Sequence, residues 1–321
     1  MNVTSPMPEG LASRDAPPTV VVSLDFELRW GCYDKLGMDL NAYRENLENV
    51  REVVPALLRL LSERKIHATW ATVGALACED WTEYFHRAPK TPAYEDTSLR
   101  FSEQFSELDP EGALHFAPDL VRQIHETPGQ ELGTHTFSHI FMREPGITGQ
   151  DVDADLAAVV RLWEDRFGIS PKSLVFPRNQ YSFIDRILST SIRVWRGNET
   201  PWYHECTDAG TNKLLPRSLR LLDALNPLVR RAYPMEGAMN RASLFLRANL
   251  PEGLWNLHLS RIRGELKALA PGRIFHLWWH PHNLGADMPR RLKRVEQVLD
   301  LIAKGCPSGR RVSKSMGDFV H

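Results

Sequence analysis

A chain of 321 residues, 42% hydrophobic and 25% charged, is long enough to bury the core of one large domain or two small ones. Its formal net charge of −1 argues against a nucleic-acid partner, and no apolar run approaches the roughly 18 residues that span a bilayer. Cys32, Cys78, Cys206 and Cys306 lie far apart without a C-x-x-C pair, so reduced thiols and a cytoplasmic location are expected rather than a disulfide framework.

Residues 1–18 are polar, hold Pro, Ser and Gly, and show no basic-then-apolar order. They read as a flexible leader to a single domain covering 19–321. Thr19-Val20-Val21-Val22-Ser23-Leu24-Asp25 is short, β-branched and nearly unbroken in its apolar character, the pattern of a strand buried on both faces. Residues 41–65 carry Leu47, Val50, Val54, Leu57, Leu58 and Leu61 near helical spacing, and 66–73 return to strand chemistry. Strand, helix, strand is a βαβ unit and implies a parallel sheet.

The stretch 78–115 is aromatic, acidic and proline-rich without a period, and reads as a long excursion over the rim. A helix is expected over 117–126, a strand over 130–134, and a helix over 151–167 capped by Thr148. Further strands are expected at 172–177, 192–195 and 273–279, with helices at 184–189 and at 287–304, the last stopped by Gly305. Residues 200–272 are less regular, with helical pieces, prolines and an uneven charge. Between Lys213 and Arg273 the chain holds eleven Lys/Arg against four Asp/Glu, a local charge of +7. The alternation of strands and helices predicts an α/β fold, a single distorted (β/α) barrel with long rim insertions.

Four polar clusters follow apolar runs, where α/β barrels gather their active sites at strand C-termini. They are Asp25-Phe26-Glu27, Gly133-Thr134-His135-Thr136-Phe137-Ser138-His139, Phe176-Pro177-Arg178-Asn179 and His280-Pro281-His282-Asn283. Asp25 and Glu27 are two apart, so an extended chain points both to one face. If the turn after Gly133 is helical, the i, i+4 pair His135 and His139 converges on one ion. Two histidines plus either carboxylate would leave positions open for water and substrate, which suits a hydrolytic metal or a ferrous oxygenase centre.

These clusters resemble, in order, the motifs of the polysaccharide deacetylase family (NodB homology, carbohydrate esterase family 4). The resemblance runs from Thr19 to the C-terminus and is most specific at His135-Thr136-Phe137-Ser138-His139, which matches the family's His-[Ser/Thr]-x-x-His. It implies the family's barrel and a divalent metal, usually Zn2+. It makes Asp25 the general base, His135 and His139 metal ligands, and His280, in Leu277-Trp278-Trp279-His280, the general acid, with His282 the less natural match. The family's second acidic residue directly follows the base. Here Phe26 takes that place, and Glu27 is the nearest replacement as third ligand.

The family's arginine precedes the prolines and pairs with the base, whereas Arg178 follows Pro177. Arg178 is expected either to reach Asp25 or to grip a substrate anion. Asn179 is expected to hydrogen-bond locally, with a nearby backbone N–H completing an oxyanion site, and Trp195 falls where the family walls its acyl pocket. The implied reaction is hydrolysis of an N-acyl, foremost N-acetyl, group on a sugar. A cytoplasmic enzyme would take a nucleotide- or lipid-linked precursor. The basic 213–273 segment would meet a diphosphate or an anionic membrane face, or else be a solvated surface. The competing readings are a non-sugar C–N hydrolase of the allantoinase kind, possible without metal, and an inactive glycan-binding relative. No pattern in the sequence fixes an oligomeric state.

Overall fold

Strand β1 (Thr19–Phe26) is buried along its whole length, which is why its sequence has almost no polar break. The computed structural model describes residues 16–33, 39, 41, 43–205, 214–306 and 309–320. Most of the expected leader therefore lies outside the described residues, as does Cys206. After β1 come β2 (Ala68–Thr72), β3 (Gln130–Thr134), β4 (Ser173–Val175), β5 (Val194–Gly197), β6 (Met239–Arg241), β7 (Leu244–Phe245), β8 (Ile274–Trp279) and β9 (Val312–Lys314). The sheet order is β6-β5-β4-β3-β2-β1-β8-β7, with β9 beside the start of β1, and every strand ladder is parallel.

One short stretch, 239–245, bends the sheet round. Its first half pairs with β5 and its second half with β8. At the switch, Ala242 N–H donates to the Gly197 carbonyl (2.8 Å) and Ser243 N–H to that of His276 (2.9 Å). The result is the expected distorted α/β barrel.

Alternation along the strands sorts side chains between two cores. Val20, Val22, Leu24 and Phe26 face out and pack with Val53, Val54, Leu57 and Val298 of the surrounding helices. Val21 faces in, together with Ala71, Val175, Val194, Ile274, Met316 and Phe319, which fill the lower end of the barrel. Ser23 and Asp25 share the inward face of Val21, so the polar residues begin where this apolar plug stops. Strand β9 leads into Met316 and Phe319, which complete that plug. Neither the strand nor Met316 belongs to a sequence pattern long enough to predict.

The expected helix over 41–65 is two pieces, Arg44–Glu48 and Val50–Glu63, separated at Asn49, whose side-chain amide donates to the Gly285 carbonyl (2.9 Å). Thr148 and Asp151 form a reciprocal capping box on Gly149–Phe167. Gly305 is not the residue that stops the last helix. Met288–Ala303 is closed by Lys304 in right-handed conformation. The helical pieces expected over 200–272 include two long helices, Leu214–Leu225 and Glu252–Ala268.

The excursion 78–115 is ordered scaffold. Trp30 stacks on Phe101 (4.9 Å), and both meet Trp81 and Tyr84. The Trp81 indole N–H donates to the Asp109 carbonyl (2.7 Å), so the polar edge of this cluster is satisfied as well. Cys32 and Cys78 are buried thiols, and Cys306 is half-buried. Among the described residues no helix is long and apolar enough to cross a membrane.

Candidate active site

Asp25 and Glu27 leave the upper end of β1 on the inward face and are both buried. The turn that follows lays the Glu27 carboxyl against Gly31, where an added Cβ would stand 1.9 Å from Glu27 Cδ. Only glycine at 31 admits that carboxyl.

The histidine segment is a loop, not a helical turn. Thr136 (φ 66°) and His139 (φ 55°) are left-handed, and His135 N–H continues the β2 ladder onto the Thr72 carbonyl (2.9 Å). What shapes the loop is Asp155, fully buried on helix Gly149–Phe167. Its carboxylate accepts from Phe137 N–H (2.6 Å) and Ser138 N–H (3.0 Å). Burial pushes the Asp155 carboxyl up to about 6, against the opposing pull of those two donors.

So held, His135 Nε2 and His139 Nε2 each stand 3.2 Å from Glu27 Oε2. The three ligand atoms lie within 4.8 Å of one another, all buried. His135 Nδ1 is 2.7 Å from the Val175 carbonyl, an acceptor only, so Nδ1 carries a proton, and the Nε2 turned toward Glu27 is the nitrogen that can offer a lone pair to an ion. A lone pair facing a carboxylate oxygen is repulsive unless a cation lies between them. Two imidazoles and one carboxylate converging in this way fit a divalent metal ion. Burial would raise the Glu27 carboxyl, but the His280 charge, with the adjacent His135 and His139 rings, outweighs it and holds the group well below the usual range.

Asp25 has a different partner. Arg196 of β5 grips it with both prongs, Nη1 to Oδ1 and Nη2 to Oδ2, each 2.7 Å. Burial would raise the Asp25 carboxyl, and Arg196 outweighs it, leaving the group below its ordinary value. Arg196 also donates to Ser23 Oγ (3.0 Å) and Asn179 Oδ1 (2.9 Å), and its guanidinium lies 4.0 Å from the Trp278 ring. Ser23 Oγ is in turn 2.8 Å from His276 Nε2, while His276 Nδ1 meets Asn240 Oδ1 (2.9 Å). Burial drives His276 down to about 3, so this chain fixes Arg196 without adding charge. Desolvating an ion pair costs several kcal/mol per ion, which a hydrophobic pair avoids. Asp25–Arg196 is therefore better explained by chemistry than by stability.

His280 completes the group, with Nε2 at 3.7 Å from Asp25 Oδ2 and 3.5 Å from Glu27 Oε1. His282 is buried behind it, its ring stacked on His280 at 5.1 Å, and so supports the imidazole instead of lining the cleft.

The arginine assignment needs correction. Arg178 does not reach Asp25. Left-handed at φ 54°, it turns to Glu144 (3.4 Å) and lies over the Phe141 ring (4.2 Å). Trp195 does not wall the cleft either. It alternates with inward Val194 and Arg196, so its indole packs outward with Leu174, Phe176 and Ile187. The Asn179 and Gln180 amides are engaged locally, donating to the Phe176 and Pro177 carbonyls. The residues missed by sequence reasoning are Arg196 and Asp155. A charged residue set inside a buried strand was the available signal for the first.

Residues 40–187 match the family described as polysaccharide deacetylase. That span holds the histidine loop but not Asp25, Glu27, Arg196 or His280. A solved structure described as a polysaccharide deacetylase from Mycobacterium smegmatis is 15% identical, with a TM-score of 0.51 over 96% of this chain and 90% of that one. The chain thus matches the polysaccharide deacetylase family over residues 40–187 and shares the fold of that solved structure. Other similar solved structures are a chitin deacetylase from Colletotrichum lindemuthianum (13% identity, TM-score 0.45, 95% and 88% covered) and a pseudoenzyme of carbohydrate esterase family 4 from Bacillus anthracis (11%, 0.45, 96% and 66%). No curated protein matches the chain.

Proposed function

We propose that this protein is a metal-dependent hydrolase that removes an N-acyl group, foremost N-acetyl, from a sugar. The observation that carries the reading is the buried meeting of Glu27 with His135 and His139 beside Asp25 and His280. Zn2+ is the ion best suited to two imidazoles and one carboxylate. When bound, it supplies Lewis acidity toward an acyl carbonyl. Asp25, kept ionised by Arg196, takes the proton of the attacking water. His280, within reach of the same pocket, gives a proton to the departing amine, which an amide nitrogen needs in order to leave. Trp278 and Phe245, 4.6 Å apart beside His280, offer aromatic faces to a sugar ring.

The same reading takes the reaction as cytoplasmic and the substrate as a nucleotide- or lipid-linked precursor. Support for membrane contact comes from Trp202, Leu214, Leu215, Leu222 and Leu228, large apolar side chains exposed on one stretch that also carries Arg217 and Arg230.

Acetate and free-amine release from a panel of N-acetylated sugars tests the proposal. It is to be measured before and after chelation and after adding back Zn2+. Release that stops on chelation and returns with Zn2+ is expected, with no dependence on oxygen. Release indifferent to chelation would favour a metal-free C–N hydrolase, and sugar binding without any product would favour an inactive glycan-binding protein.

A further inference from the structure

A cavity of about 290 Å³ opens on the far side of His280, bordered by Asn179, Trp278, Phe245 and Arg247 and roofed by helix Leu214–Leu225. Its wall carries more positive charge than its own acids absorb. Arg178, Arg217, Arg220 and Arg247 all border it, against two carboxylates, Glu199 and Asp223. Both carboxylates are already engaged. Glu199 meets His204 Nδ1 (3.1 Å), and Asp223 meets His204 Nε2 (3.3 Å) and is gripped by Arg231 (2.8 and 3.0 Å).

Two of these cations, Arg217 and Arg247, have no side-chain hydrogen bond and no ion pair among the described residues. Arg217 is exposed to solvent, whereas Arg247 is half-buried with its Nε sealed from solvent. It rests 5.4 Å from the Phe245 ring, with the like charge of Arg220 and the carboxylate of Glu199, which is bonded to His204, close by. A half-buried guanidinium with no ion pair of its own is costly, and one that borders a cavity has a place for an anion to bind. Phe245 is also 5.7 Å from the His280 ring, so a single aromatic ring separates Arg247 from the proposed proton donor. One sugar can span that interval with its acyl amide at His280 and a charged substituent at Arg247.

We propose that this cavity is a phosphate-anchoring subsite centred on Arg247, so that the acylated sugar carries a phosphoryl group. The substrate class rests on the deacetylase reading, whereas the anion site itself does not. Several guanidinium groups around one space suit a doubly charged phosphate better than a single carboxylate. A sugar phosphate monoester, a nucleoside diphosphate-sugar and a prenyl diphosphate-sugar share this chemistry.

Binding, read calorimetrically on the whole protein without turnover, tests the subsite. The probes are N-acetylglucosamine, its 1-phosphate, its uridine diphosphate conjugate, its short-chain prenyl diphosphate conjugate, and N-acetylmuramic acid as the carboxylate control. At least one phosphorylated probe is expected to bind about tenfold or more tighter than the neutral and carboxylate sugars. Whichever binds best identifies the source of the phosphate. Arg247→Gln is expected to abolish that preference and Arg247→Lys to keep part of it. The preference should persist after chelation, which separates it from an anion held at the metal centre.

Equal binding of neutral and phosphorylated sugars by the wild-type protein would overturn the proposal, and this reading needs no variant to fold. So would a preference that survives Arg247→Gln or disappears on chelation. Acetate release fails or succeeds independently of these results. A protein that binds phosphorylated sugars through Arg247 yet frees no amine would keep the subsite and lose the deacetylase.

Discussion

Replacing Arg196 by Lys keeps a positive charge beside Asp25 but removes the two-pronged contact that orients the carboxylate. Arg196→Lys is expected to lower kcat on the order of tenfold to a hundredfold, while Arg178→Met, which removes contacts to Glu144 and the Phe141 ring but none to Asp25, changes it a few-fold at most. Acetate-release kinetics on the two variants decide this, and the reverse order would return the role to Arg178. Asp25→Asn and His280→Ala should each reduce kcat by about 10²–10⁴-fold, the usual worth of a positioned base or acid. Wild-type turnover by either variant would remove that residue from its role. Arg196 escaped sequence reasoning because a base and its partner need only meet in space. The motif order drew attention to Arg178, which stands next to the right proline, whereas the side chain that arrives at Asp25 comes one strand later.

At the scale of elements, the histidine loop depends on a helix distant in sequence. The Asp155 carboxylate holds the Phe137 and Ser138 amides from helix Gly149–Phe167, at the cost of burying an acid whose pKa is raised from 3.8 to about 6. A raised acid pKa means that the folded state binds the proton more tightly than the unfolded one. The contribution is therefore most favourable below the unfolded value and is lost as pH rises through about 6, by up to about 3 kcal/mol. Asp155→Asn removes this titration. Denaturant unfolding at pH 4 and pH 7 should show the wild type losing stability relative to the variant across that interval. Parallel curves would show that Asp155 does not titrate there.

Most strands were legible because continuous burial leaves a continuous apolar run, as in Thr19–Phe26 and Ile274–Trp279. The loop at 135–139 was not, because backbone in left-handed conformation at Thr136 and His139 is imposed by Asp155 and leaves no local pattern. Strands β6 and β7 are too short to show a period, and their pairing with β5 and β8 closes the barrel through neighbours remote in sequence.

At the scale of the molecule, the basic irregular region becomes one wall of the cleft. Helix Leu214–Leu225 gives Arg217 and Arg220 to the cavity and leaves Leu214 and Leu222 to solvent, 74% and 63% exposed. Burial of a few such side chains in a lipid interface, with arginines at the headgroups, would suffice for weak reversible attachment. Co-sedimentation with vesicles containing anionic lipid, weakened by Leu222→Ser with Leu228→Ser, is the expected outcome. Equal sedimentation with neutral and anionic vesicles would leave the stretch without a membrane role.

The sequence by itself determined the parallel α/β class, the inward alternation that pairs Asp25 with Glu27, and the identity of the paired histidines. Each of these is a property of residue type at short range. Only the tertiary structure decided that Glu27 meets His135 and His139, that Arg196 rather than Arg178 steadies Asp25, and that Arg247 borders a cavity beside His280. Those facts depend on which strand ends the barrel's closure brings together. Such a closure is set by side-chain volumes summed over the whole core, which no single stretch of chain records.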